Sequence, residues 1–161
     1  MQELTDLLNN KLLFWSLIAC ISAQLLKVVF NFFASGEIKF SVIFETGGMP
    51  SSHSSLMTGI ASGIGLEMGF DHPVFALAVG VALVVMYDAS GVRRSAGMQA
   101  TEINKISTQL SLDNQLNLKE KLGHTKLEVI VGSIIGPFIT LMGMRFVGSP
   151  LDLFDYIVTF F

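Results

Sequence analysis

Two histidines, three basic side chains and a carboxylate in this sequence have the types and spacing that handle a phosphoryl group. His124 and Glu128 are four residues apart, so a helix would put them on one face. A carboxylate beside an imidazole fixes its tautomer and favours its charged form, as a nucleophilic or general-base histidine requires. The same pair also suits an ordinary helix start, where an acidic first turn meets the positive end of the helix dipole. Residues 47–53, GGMPSSH, read as a loop entering a helix, with Pro50 in the first turn and serine at the cap. Such a start offers free backbone N–H groups to an anion such as phosphate, and Ser51 and Ser52 add hydroxyls. His53 follows as a candidate acid or base, or as an interfacial histidine. Arg93 and Arg94 could grip phosphate oxygens in bidentate fashion, or serve as a basic flank to a membrane helix. Asp88 could orient one of them. Lys27 could snorkel to the interface or reach a phosphate, and Gln24, one turn earlier, could share its site.

A metal site is not expected. His53, His124, Asp88 and Glu128 form no compact ligand motif such as HExxH, and the nearby arginines would repel a cation. No cofactor is expected.

The elements that must hold these residues are apolar. Of 161 residues, 51% are hydrophobic and 14% charged, and the mean hydropathy is +0.60. Soluble domains carry about 25% charged residues. The net charge of −3 and the lack of a basic tract argue against nucleic acid as a partner. The single cysteine, Cys20, lies in an apolar run and closes no intrachain disulfide. Four runs approach the about 20 residues needed to cross a bilayer: 12–34, 51–70, 73–91 and 125–147. Glu3 and Asp6 stand where a secretory signal wants positive charge, so the first run reads as a retained helix. The expected fold is an all-α integral membrane protein. It is a single membrane domain over 1–161, a bundle of about four transmembrane helices with short interfacial segments. Residues 35–48 and the tail from Leu151 read as interfacial, and 92–124 as a hydrophilic loop. Gly59 and Gly63, Gly65 and Gly69, and Gly132 and Gly136 have GxxxG spacing, which allows close helix packing inside the chain or a homodimer seam.

Four crossings would alternate the segment ends. Lys27, residues 47–53, Asp88 with Arg93 and Arg94, and His124 with Glu128 then gather on one side. That side also carries Lys105, Lys119, Lys121 and Lys126, whereas the other carries only Lys11 and Arg145 against six acidic residues. A Lys/Arg excess marks the cytoplasmic face, so the cluster is expected there, in the cytoplasmic membrane.

These residues resemble the type 2 phosphatidic acid phosphatase superfamily, which includes the vanadium haloperoxidases, and more closely its small divergent branch. The superfamily patterns are K-x6-R-P, P-S-G-H and S-R-x5-H-x3-D. Pro50-Ser51-Ser52-His53 is similar to the second, with Ser52 at the glycine. His124 to Glu128 is similar to the end of the third, with glutamate for aspartate and 29 residues between Arg94 and His124. Lys27 matches the first lysine, without the Arg-Pro. The strings GGMPSSHSS, YDASGVRRSAGMQA and LGHTKLEV are together specific to the divergent branch. The resemblance implies a metal-independent phosphatase acting on a lipid phosphate monoester or diphosphate, such as phosphatidylglycerol phosphate, phosphatidate or a polyprenyl diphosphate. In it His124 would form a phosphohistidine, Glu128 would orient it, and His53 would act as acid and then base. Lys27, Arg93, Arg94, Ser51 and Ser52 would hold phosphoryl oxygens. Two other readings stay open: a non-catalytic membrane protein that binds a phosphorylated lipid or partner, and a small transporter subunit.

Overall fold

The computed structural model describes residues 2–110 and 117–160, and among them it is helical throughout its regular structure. A short α1 (Gln2–Leu8) precedes α2 (Lys11–Ser35), and a 3-10 turn at Phe40–Phe44 leads to α3 (Ser52–Met68). Then follow α4 (Pro73–Ser90), α5 (Val92–Gln109), α6 (Lys126–Phe146) and α7 (Pro150–Phe160). Each long helix begins on a residue suited to it. Asn10 caps α2 by accepting from Leu13 N–H, Ser51 caps α3, and His72 followed by Pro73 opens α4.

Helices α2 and α6, and the run that begins with α4, are long and apolar enough to cross a membrane. Many of their leucine, isoleucine and phenylalanine side chains are exposed on the outer surface, where water would penalise them and lipid would not. This is an all-α membrane protein. Helix α3 is different. It has 17 residues rich in serine and glycine, about 25 Å of helix, and it sits between α2, α4 and α6.

The packing of α3 on α6 depends on small residues. The two run parallel, and their contacts climb in step. Gly132 lies against Ser51, Gly136 against Ser55 and Thr58, Gly59 against Thr140, and Gly63 against Met144. A Cβ on Gly132 or Gly136 would collide with the α3 backbone. The GxxxG spacings at 59/63 and 132/136 are thus used within the chain, and Gly65 is covered by Phe70 and Phe75. Helix α2 runs antiparallel to α3, with the Ser55 hydroxyl donating to Ala19 O at 3.0 Å.

The polar stretch expected as a loop over 92–124 instead contains α5. Its inward side is small (Gly97, Ala100, Ser107), which gives little apolar signal. Its partner is the segment that follows 116, held by Asn104: Nδ2 donates to Leu118 O at 2.9 Å and Oδ1 accepts from Leu118 N at 3.0 Å. Gly97 lies against the backbone at Glu120 and Leu122. This clasp leads the chain back to His124. At the other end, Trp15 Nε1 donates to Gly148 O at 2.8 Å and Asn9 accepts from Leu151 N at 3.1 Å, tying α7 to the α1–α2 corner.

Candidate functional site

The start of α6 is built around one carboxylate. Thr125 is the N-cap, and its hydroxyl accepts from Glu128 N at 3.3 Å. Glu128 Oε2 in turn accepts from Thr125 N at 3.0 Å, completing a capping box. The same oxygen lies 3.1 Å from His124 Nδ1. His124 precedes the helix, and its N–H donates to Ala89 O at 2.9 Å, which fastens it to the end of α4. Gly123 makes this approach with φ 73°, and a Cβ there would run into the Arg94 backbone.

His124 is 3% exposed. Burial pushes its pKa below the ordinary histidine value, and the hydrogen bond to Glu128 partly offsets this. The ring is therefore neutral near pH 7, with a proton on Nδ1 facing the carboxylate. That leaves Nε2 as a lone-pair nitrogen, and it is buried without a hydrogen-bond partner among the described residues. Ser16 Oγ, Gln24 Oε1 and Thr140 Oγ1 are also buried and unpartnered. Of the four side chains, His124 lines hollows together with arginine.

His124 borders two hollows. One, of about 210 Å³, is shared with Thr46, His53, Asp88 and Arg93. The other, of about 360 Å³, is shared with Glu45, Arg94, Lys121 and Glu128. The two arginines thus flank the histidine on different sides. Asp88 engages Arg93, with Nε donating to Oδ2 at 2.6 Å, which answers which arginine the aspartate holds. A third hollow of about 480 Å³, lined by Lys27, Phe30, Glu45 and Glu128 among others, opens alongside.

Several expected phosphate contacts are otherwise engaged. Ser51 is fully buried. Its N–H donates to Glu128 O at 3.0 Å, and its hydroxyl accepts from Ser54 N at 3.3 Å and Ser54 Oγ at 2.9 Å. This joins α3 to α6 rather than presenting donors to a ligand. Ser52 is buried at the first turn, and its hydroxyl has no hydrogen-bond partner among the described residues. Lys27 is buried, with Nζ donating to Glu45 O at 2.9 Å. Gln24 donates to Ile43 O and so holds the 3-10 turn rather than a ligand.

Glu45 was not singled out from sequence. Its carbonyl receives Lys27, and its carboxylate pairs with Lys121 at 3.0 and 3.3 Å. Together with Thr46 donating to Lys121 O at 3.4 Å, it lays the 45–49 segment over the His124 loop. The visible signal was a charged residue two positions before GGMPSSH.

A family model described as the Divergent PAP2 family matches residues 8–139 of the chain. The chain is also 40% identical, over 151 residues, to the uncharacterized membrane protein YuiD of Bacillus subtilis (strain 168), covering 85% of this chain and 96% of that one. No solved structure matches.

Proposed function

The chain belongs to the divergent PAP2 family, and from that premise we propose that it is a membrane phosphatase that hydrolyses a lipid phosphate monoester or diphosphate through a phosphohistidine. The observation that carries this reading is His124: Nδ1 is paired with Glu128, and Nε2 is buried, unpartnered and beside His53 and Arg93.

Nε2 attacks phosphorus, forming an N–P bond as the P–O bond to the lipid breaks. Protonated His53 gives its proton to the leaving alkoxide. A water then attacks phosphorus, His53 takes the water's proton, and the N–P bond breaks to release inorganic phosphate. Phosphoryl transfer depends chiefly on positioning and on neutralising the equatorial oxygens. Arg93 and Arg94 flank the histidine for that purpose, Lys27 adds its charge from alongside, and Ser52 is the free hydroxyl at the α3 start. Because Ser51 is committed to the fold, its role is to set the height of α3 against α6. The site lies at the helix ends, so a headgroup enters from the interface while acyl or prenyl chains remain in the bilayer. The Lys/Arg excess at this end supports a site on the cytoplasmic face of the cytoplasmic membrane. With the 59/63 and 132/136 seams occupied inside the chain, a homodimer would form through another face.

The engagement of Lys27 and Ser51 favours a second reading, in which the site binds a phosphorylated lipid without turnover. One assay separates the two. The protein is purified in detergent, and phosphate release is measured from phospholipid and prenyl phosphates with EDTA present, for the wild type and for His124→Ala. The phosphatase reading expects release that His124→Ala abolishes while the fold persists. No release from any substrate, or equal release from both, leaves the binding reading.

A further inference from the structure

At the end of the bundle away from the histidines, Lys11, Leu66, Glu67, Met144 and Arg145 line an open hollow of about 510 Å³. It lies where α2 begins and where α3 and α6 end. Lys11 and Arg145 are the only lysine or arginine side chains of this end among the described residues, and both face it. Lys11 Nζ pairs with Glu67 at 3.2 Å, whereas Arg145 has no ion-pair partner among the described residues. Asp152 lies within the reach of the Lys11 charge, but its carboxylate is held by Ser149 N–H at 2.7 Å at the start of α7. From Glu128 to Arg145 along α6 is about 25 Å of helix, close to the about 30 Å of a hydrocarbon core. The hollow therefore sits at the opposite headgroup level from the histidine site.

We propose that this hollow binds the phosphodiester of a membrane phospholipid headgroup, with Arg145 and Lys11 on the phosphate oxygens. Arg145 supplies a planar donor fork suited to phosphate. Lys11 is shared between the phosphate and Glu67, so the cationic surplus comes from Arg145. Leu66 and Met144 form the apolar side of the hollow toward the lipid chains. The site shares no residue with the histidine cluster and stands or falls separately from it.

The test is native mass spectrometry of the full chain in detergent, with added phosphatidylglycerol or with diacylglycerol of the same chains. Wild type and His124→Ala should retain one phosphatidylglycerol that Arg145→Gln binds about tenfold more weakly, the loss expected for one charged hydrogen-bonding partner. Arg145→Lys should retain most of the binding, which separates charge from folding. Fluorescence of Trp15, the only tryptophan, reports the local fold, because Trp15 packs on Gly143 and donates to Gly148 O. Equal retention by wild type and Arg145→Gln, or equal retention of diacylglycerol, overturns the proposal.

Discussion

One oxygen of Glu128 holds both the backbone N–H of Thr125 and the ring of His124, at 3.0 and 3.1 Å. The cap of α6 and the orientation of the histidine are therefore one interaction. Glu128→Gln keeps a capping-box acceptor but withdraws the negative charge. Phosphate release should fall by about 10²-fold or more, with little change in thermal melting. Glu128→Ala should lose the activity and also about 1 kcal/mol of stability from the missing cap. Melting curves in detergent beside the activity assay distinguish the two. Full activity in Glu128→Gln would remove the orienting role.

If His53 protonates the leaving oxygen, its loss should matter most for poor leaving groups. His53→Ala should slow release from an alkyl phosphate by about 10²–10⁴-fold. It should cost much less with p-nitrophenyl phosphate, whose leaving group needs no proton. An equal loss on both substrates would assign His53 to binding.

The pH profile has a sign set by burial. His124 acts as the neutral ring, and burial holds its pKa below the ordinary value near 6.5. Activity should therefore persist as pH falls through 6.5, with the acid limb of kcat/KM set by His124 below that value and the alkaline limb set by loss of the His53 proton. Glu128 raises the histidine pKa, so Glu128→Gln should shift the limb further down. A limb above pH 6.5, or one that moves upward in Glu128→Gln, contradicts this assignment.

The α3–α6 seam gives a purely structural prediction. Gly136→Ala pushes a methyl into the Ser55 backbone and the Thr58 hydroxyl, and overpacking of this kind costs about 1–3 kcal/mol. It should also reduce activity, since His53 and His124 sit at matching ends of the two helices. Gly80→Ala in α4, where a Cβ meets nothing within 4 Å, should leave both melting and activity unchanged.

The helix ends that gather the chemistry were legible because strings such as GGMPSSH and HTKLE combine cap signals with titratable groups. The apolar runs likewise announced α2, α4 and α6. Helix α5 was hidden because its buried positions are Gly97, Ala100 and Ser107, which leave almost no hydrophobic period. Glu45 escaped notice because its main contact to Lys27 is through a carbonyl, and backbone acceptors have no residue signature. The commitment of Ser51 could not be read either. A serine at a helix start looks the same whether its polar groups face a ligand or, as here, Ser54 and Glu128. The placing of Arg93 and Arg94 on different sides of His124 comes from the return of the chain through Gly123, set by contacts that adjacency in sequence does not encode.

The parallel ladder between α3 and α6 also has a bearing on how the protein is made. Helix α3 is the least oily of the central helices, with Ser52, Ser54 and Ser55 buried and glycines along its length. Its closest partner is synthesised more than fifty residues later. During translation α3 therefore has only α2 and then α4 to pack against, with its glycine face still uncovered. Its final seating has to wait for α6, so the histidine pair is assembled by the last of the central helices to arrive.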